Sequence, residues 1–264
     1  MTNVINNIKL YLSFLKASLK EMLIYRLDCM VGMISQIVTQ LVEIIFIFII
    51  FYNTDTLAGW NFNQILLLYG ITSISIGFSD FCFDAIYDIG PKYIKNGDFD
   101  KILLRPVHPL VSIIGSSREF TALGYFILGL IITIIMLIEL AIPITFLLII
   151  KILFFSIVGA LIIGAINTIF SISSFWTYRS NEIIWSFYRI YTFAQYPINI
   201  YNMFIKILIT VILPFAFVAY YPTMDYLGMN TYMIYLSPII AIILWIIAVK
   251  AWNWALNKYR STGN

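Results

Sequence analysis

The sequence predicts an all-α polytopic membrane protein, and three observations carry that prediction. Of its 264 residues 61% are hydrophobic and only 11% charged, with a mean hydropathy of +0.93, whereas a soluble domain carries about 25% charged residues. Several apolar runs exceed 18 residues, long enough to cross roughly 30 Å of hydrocarbon at about 1.5 Å per residue. Short alternating strands, the mark of a membrane β-barrel, are absent from the pattern. The net charge of +3 points to membrane topology rather than nucleic acid.

Residues 3–27 read as an amphipathic helix. Val4, Ile8, Leu12, Leu15 and Leu19 recur at steps of three and four, with Lys9, Lys16 and Lys20 on an adjacent stripe. Such a helix lies in the membrane interface, its lysines at anionic headgroups; the alternative is a soluble helix packed on a partner. No cleavable signal is expected, because the first apolar run starts near residue 29 behind this lead. Candidate spans follow at 30–52, 64–86, 119–138, 144–176, 203–221 and 236–256. NTDTLAGWNFN separates the first two, a charged segment fills 87–118, ELAIP turns the chain near 140, and TYRSNE breaks it before residue 183. Residues 183–222 leave two readings open: an inner interfacial helix followed by a span, or a short span ending near Pro197 and then an outer re-entrant pair. Pro197, Pro214 and Pro222 remove backbone donors, a break tolerated at membrane depth only where protein or water covers the freed carbonyls.

Basic residues stay on the cytoplasmic side of a membrane. With the amino terminus inside, the outer loops 53–63, 139–143 and 222–235 contain none of the sixteen Lys and Arg residues. Lys151 and Lys250 fall near span ends, where a long stem can snorkel. Six spans with both termini cytoplasmic, in a bacterial inner membrane, is the expected topology.

The stretch KNGDFDKILLRPVHPL, residues 95–110, concentrates five charges in sixteen positions between two apolar runs. Gly97 is a natural helix terminator and Asp98 can cap a short helix beginning at Phe99. Arg105 precedes Pro106, whose ring disfavours helical geometry at the residue before it. The expected object is a short, rigid helix on the cytoplasmic side. Phe99, Ile102 and Leu103 lie on one side of it, among Asp100, Lys101 and Arg105, and suit a groove on a soluble partner. An ordinary solvated loop would explain the charges but not the apolar residues among them.

Gly97-Asp98-Phe99-Asp100 leading into Leu103-Leu104-Arg105-Pro106 resembles the G-[ED]-[LF]-D-x-x-L-L-R-P signature of bacterial ABC-2-type permeases of the viologen-exporter-like branch. Pro214-Phe215-Ala216-Phe217-Val218 with Tyr221-Pro222, and the terminal Tyr259-Arg260-Ser261-Thr262-Gly263, are similar to further stretches of that family. The resemblance covers essentially the whole chain. It implies a type V exporter-like transmembrane domain, in which 97–106 is the coupling helix and 3–27 the connecting helix. It also implies two ABC ATPase subunits holding ATP and Mg, a second identical or paralogous permease, and outward transport of a hydrophobic or amphipathic compound. The chain itself has no G-x-x-x-x-G-K-[ST] phosphate loop, so no cofactor is expected on it and it is not expected to be an enzyme by itself.

Ionisable residues at membrane depth are functional candidates because a charge there is costly. Glu43 lies deep in the first span; Asp80 and Asp84 share a face near the inner end of the second. Lining a cavity, these acids would attract a cationic amphipathic substrate, with the plentiful aromatics adding cation–π contacts. Alternatively Asp80 and Asp84 pair with Lys92 or the basic amino-terminal helix, and Glu43 is neutral and bonded to Gln36, Thr39 or Gln40. Gly159 and Gly164 read as close-packing positions, His108 has no companions for metal or acid–base work, and Cys29 and Cys82 read as reduced, packed thiols. Two other classes compete. A secondary transporter or channel would show an internal repeat, which is not visible. An intramembrane enzyme would rest on the Asp80, Asp84, Asp88 row, which reads more simply as a solvated helix end.

Overall fold

The structure, a computed structural model, describes residues 16, 18–116, 118–177, 182–183, 185–186, 190–229 and 231–259. Nine α-helices are found among them: α1 Arg26–Tyr52, α2 Phe62–Phe83, α3 Asp98–Leu103, α4 Pro109–Ser116, α5 Leu123–Glu139, α6 Phe146–Ser171, α7 Met203–Ile207, α8 Tyr220–Tyr226 and α9 Ser237–Leu256. The only β pairing among the described residues is an isolated bridge between Leu57 and Trp60. It closes a tight turn in which Ala58 and Gly59 both have positive φ. Directly after it, Asn61 and Gln64 cap the start of α2 reciprocally, at 2.9 and 3.0 Å.

Helix α2 is the centre of the bundle. It is apolar all round, as a helix buried on every side must be, and its run from Ile65 to Gly77 is wholly buried. Two of its hydroxyls are satisfied locally: Thr72 and Ser75 donate to the carbonyls one turn back, at 2.8 and 3.1 Å. Glycines set its distance from its neighbours. A Cβ on Gly129 of α5 would sit 2.9 Å from the Ile74 nitrogen, and one on Gly77 2.8 Å from the Phe126 nitrogen. On α6, a Cβ at Gly159 would meet Ser75 Oγ at 2.8 Å, and one at Gly164 the Phe83 ring at 2.5 Å. Backbone-to-backbone approach of this kind is how helices associate where water supplies no hydrophobic drive.

Among the described residues, five helical stretches are long and apolar enough to cross a membrane: Arg26–Tyr52, Phe62–Ile94, Phe120–Glu139, Phe146–Phe175 and Tyr232–Leu256. A sixth counts if Met203–Ile212 and Phe215–Tyr226 are one crossing; they meet at a 70° bend. The bend falls at Leu213, whose extended φ/ψ of −121°/83° is the geometry that the following Pro214 ring imposes. Ahead of it, the chain runs along α2: Trp185 stacks on Tyr87 at 5.5 Å, and Thr72 Oγ1 donates to the Ala194 carbonyl at 3.5 Å. Beyond the bend, α8 lies at the other end of α2. Tyr220 packs on Trp60, the Asp225 carboxylate pairs with Lys151 of α6, and Tyr226 donates to the Lys151 carbonyl. Lys151, expected to snorkel, is thus held by a carboxylate from a segment 74 residues away.

Most of the reading 3–27 lies outside the described residues, as do Arg260, Ser261, Thr262 and Gly263. Residues 18–24 are helical and join α1 through a single turn at Tyr25. Helix α1 itself buries only Gln40 and Ile47. It rests on α5 where Gly124 lies under Met33 and Gln36 and packs Ile44 and Phe51 on the core, and most of its remaining apolar surface is exposed.

Two cores are present. The larger joins α2, α5, α6 and α8. The smaller, at the far end of α2, gathers Ile86, Ile89, Phe99, Ile102, Ile113 and Trp252. Its composition corrects one expectation. Phe99 and Ile102, read from the sequence as an anchor for a soluble partner, are 0% and 2% exposed. They occupy successive turns of one face, and that face is turned into the chain's own core.

Candidate functional site

Two loci carry the polar chemistry. The first is an elbow made by α3 and α4 between the second and third long helices. Gly97 starts it with φ 73°, a left-handed conformation that favours glycine, and α3 begins at Asp98, one residue earlier than the capping pattern suggested. Asp98 does not cap the helix; it takes the Lys101 ammonium at 2.6 Å. Arg105 closes the elbow, its backbone nitrogen donating to the Ile102 carbonyl at 3.1 Å and its Nη1 to Ser112 Oγ at 2.9 Å. Pro106 then prevents α3 from continuing.

The inner face of the elbow is pinned to the ends of α6 and α9. The Phe99 ring meets Tyr259 at 4.9 Å, Phe175 at 5.4 Å and Trp252 at 6.5 Å, all edge-on. Offset geometries of this type exceed simple area burial by about 0.5–1.5 kcal/mol per pair. Tyr259 donates its hydroxyl to Asp100 Oδ1 at 3.2 Å, and the His108 ring bonds Asn253 Oδ1 at 2.8 Å. The outer face is left to Leu103 and Leu104, the latter 87% exposed, framed by Asp98, Lys101 and Arg105. Of the sequence-predicted residues, Gly97, Asp98, Asp100, Arg105 and Pro106 shape or rim the elbow. Phe99 roots it, and Leu103 and Leu104 present its apolar surface.

The second locus surrounds Glu43. Its Oε2 accepts from the Tyr69 hydroxyl of α2 at 2.8 Å and from Gln195 Nε2 at 3.4 Å. The partners are therefore not the near-turn residues expected. Thr39 bonds Ser35, and Gln40 reaches the Gln36 and Gly124 carbonyls. Gln195 ends a short 3₁₀ turn, Tyr191–Gln195, directly before Tyr196 and Pro197. Glu43, the Tyr69 hydroxyl and Gln195 thus come together, with Tyr196 within electrostatic reach of the carboxylate.

Asp80 and Asp84 stand apart from Glu43, near the α3–α4 end. Asp80 is buried within electrostatic reach of Tyr87, whose hydroxyl accepts from Asn167 at 2.6 Å. Asp84 lies within reach of Glu119, Asp88 and Lys92, while Lys92 forms its ion pair with Asp88 at 3.8 Å. The helix tightens to a 3₁₀ turn over Asp84–Ile86, which breaks the straight row of Asp80, Asp84 and Asp88. Among the described residues no group of three or more His, Cys, Asp or Glu side chains is placed to hold a metal ion.

Sequence reasoning missed Tyr69, Gln195, Asn253 and Asp225, and it named Tyr259 only as part of the terminal family-like stretch, not as a partner of Asp100. Gln195 carried a signal in its place beside Pro197, and Asp225 in being the one acid of its loop; the pairings themselves join segments far apart in the chain.

Among curated proteins and among solved structures, nothing matches the chain. A protein-family model described as "ABC-2 family transporter protein" matches residues 37–263, which include both loci. The chain therefore belongs to the ABC-2 family of transporter proteins, as an integral membrane component that partners with an ATPase subunit.

Proposed function

We propose that this chain is the permease of an ATP-driven exporter of the viologen-exporter-like branch, moving a hydrophobic or amphipathic cation out of a bacterial cell across the inner membrane. In this reading the α3–α4 elbow docks in the two-ATPase motor, Leu104 entering a groove and Lys101 and Arg105 meeting acidic groups at its rim. ATP and Mg belong to the motor. The observation that carries the reading is the division of the elbow into two faces. Its outer face sets exposed Leu103 and Leu104 among Asp98, Lys101 and Arg105, an apolar centre with a charged rim that suits a groove on a soluble partner.

Both termini lie in the cytoplasm in this reading, supported by the clustering of basic residues. The helix pair on either side of Pro214 then dips in from the outer side, a placement supported by the Tyr220–Trp60 and Asp225–Lys151 contacts. A second permease, identical or paralogous, covers the apolar face of α1. Glu43, with Tyr69 and Gln195, supplies the negative charge that draws the cation, and Asp80 and Asp84 provide acidity along the path near its cytoplasmic entrance.

The test is uptake of tetraphenylphosphonium by inverted vesicles carrying the permease and its ATPase. ATP-dependent accumulation is expected. Accumulation driven by an imposed proton gradient with no ATP would overturn the reading in favour of a secondary transporter.

A further inference from the structure

Helices α6 and α9 pack side by side, and their outward edge is not smooth. A groove of about 680 Å³ runs between them, lined by Phe154, Val158 and Leu161 on one side and Ala241, Trp245 and Ile246 on the other. Its lining is apolar from Pro238 until Lys250 closes one end. Those twelve residues of helix rise about 18 Å, close to the ~15 Å depth of one leaflet of a ~30 Å hydrocarbon core. Both helices are of membrane-crossing length, so the medium along this edge is lipid.

The end of the groove has its own chemistry. Lys250 and Trp254 are neighbours one turn apart on α9, and Lys258 follows in the turn just past the helix end at Leu256. Lys258 holds its ammonium 4.2 Å from the centre of the Trp254 ring, and Trp254 packs on Trp176 of the α6 end at 5.5 Å. Next to them opens a recess of about 620 Å³ lined by Phe175, Trp176, Asn257, Lys258 and Tyr259. Among the described residues neither Lys250 nor Lys258 forms an ion pair. The edge thus reads, in order, as a dry channel one leaflet deep, a cation, an aromatic at interface level, a second cation and a polar recess.

Each part matches one part of a single amphiphile: an acyl chain, a phosphate, and a small headgroup able to hydrogen-bond. The two lysines select against a headgroup bearing its own ammonium, which would be brought beside like charge. We propose that the α6–α9 edge is a binding site for an anionic phospholipid, one acyl chain lying in the groove and the phosphate held by Lys250 and Lys258 around Trp254. The recess shares Phe175 and Tyr259 with the root of the elbow, but the proposed lipid contacts use neither Leu104 nor Glu43.

The experiment is native mass spectrometry of the full-length chain released from detergent, with phosphatidylglycerol or phosphatidylethanolamine of identical chains added. Retention of phosphatidylglycerol in excess of phosphatidylethanolamine by about fivefold per lysine is expected. The K250Q/K258Q pair should bring the two lipids to parity, and K250R/K258R should keep the preference. Ala241→Phe, which fills the groove, should lower retention of both lipids. Equal retention by the unaltered chain, or a preference that survives K250Q/K258Q, would overturn the proposal. So would a change in the proportion of dimer with lipid adducts unaltered, since the edge would then be a contact between copies. Should Ala241→Phe fail to insert, the glutamine and arginine pairs decide alone, because they alter only exposed positions.

Discussion

The Tyr259 hydroxyl donates to the Asp100 carboxylate at 3.2 Å, joining the end of α9 to α3 across 159 residues of sequence. With His108–Asn253 and the ring of aromatics around Phe99, it makes the elbow continuous with α6 and α9, two helices that it does not connect in the chain. In the proposed reading, a push on Leu104 would reach the far pair of long helices as well as α2 and α5. Replacing Tyr259 with Phe removes the hydrogen bond and keeps the ring. Substrate-stimulated ATP hydrolysis by the assembled transporter should fall by up to about tenfold, the equivalent of the ~1.4 kcal/mol that one such bond contributes. Unchanged stimulation would show that force does not pass through α9.

The two faces of the elbow separate stability from docking. Phe99→Ala should lower folding stability by about 3–5 kcal/mol, as expected for a buried aromatic truncated in a packed core, and should be read by thermal denaturation in detergent. Leu104→Asp should leave stability within ~0.5 kcal/mol and still abolish co-purification of the ATPase. The reverse pattern would mean that the faces have been assigned the wrong way round.

Much of this was legible in the sequence and some was not, for a physical reason. Run length and hydropathy suffice to predict an all-helical polytopic chain, because the bilayer demands that every backbone group in it be paired. The elbow was visible as a polar island closed by Gly97 and Pro106. Its orientation was not. In a soluble protein an apolar stripe marks the buried face, but here apolar surface faces both lipid and core, so the pattern groups Phe99 with Ile102 without telling that their side is the one turned inward. Glu43 stood out because a carboxylate in an apolar run is conspicuous. Its partners Tyr69 and Gln195 did not, since tyrosine is plentiful in this chain and the contact to Gln195 spans 152 residues.

Glu43→Gln keeps a group that can accept from Tyr69 and Gln195 but removes the charge. The KM for a lipophilic cation should rise by about tenfold, the equivalent of ~1.4 kcal/mol for a lost charge-assisted contact. The KM for an uncharged amphiphile should be unaltered. Equal effects on both substrates would reduce Glu43 to a packing role.

Gly129 and Gly77 set the spacing of α2 and α5 by backbone approach. Gly129→Leu should cost about 1–3 kcal/mol through overpacking and appear as a lower melting temperature and less monodisperse protein. Gly59→Ala is a useful contrast: a Cβ there meets nothing within 4 Å, although the positive φ of 85° strains it, so the loss should be about 1 kcal/mol.

The most direct test places a photo-cross-linking amino acid at position 104 in cells that carry the complete transporter, and identifies the polypeptide captured. The expected product is a cross-link to a protein bearing a G-x-x-x-x-G-K-[ST] phosphate loop, lost when the same probe is moved to position 146 at the opposite end of the bundle. Cross-links to lipid or to a second copy of this chain alone, with the ATPase never captured from position 104, would contradict the assignment of the elbow as the motor's point of attachment.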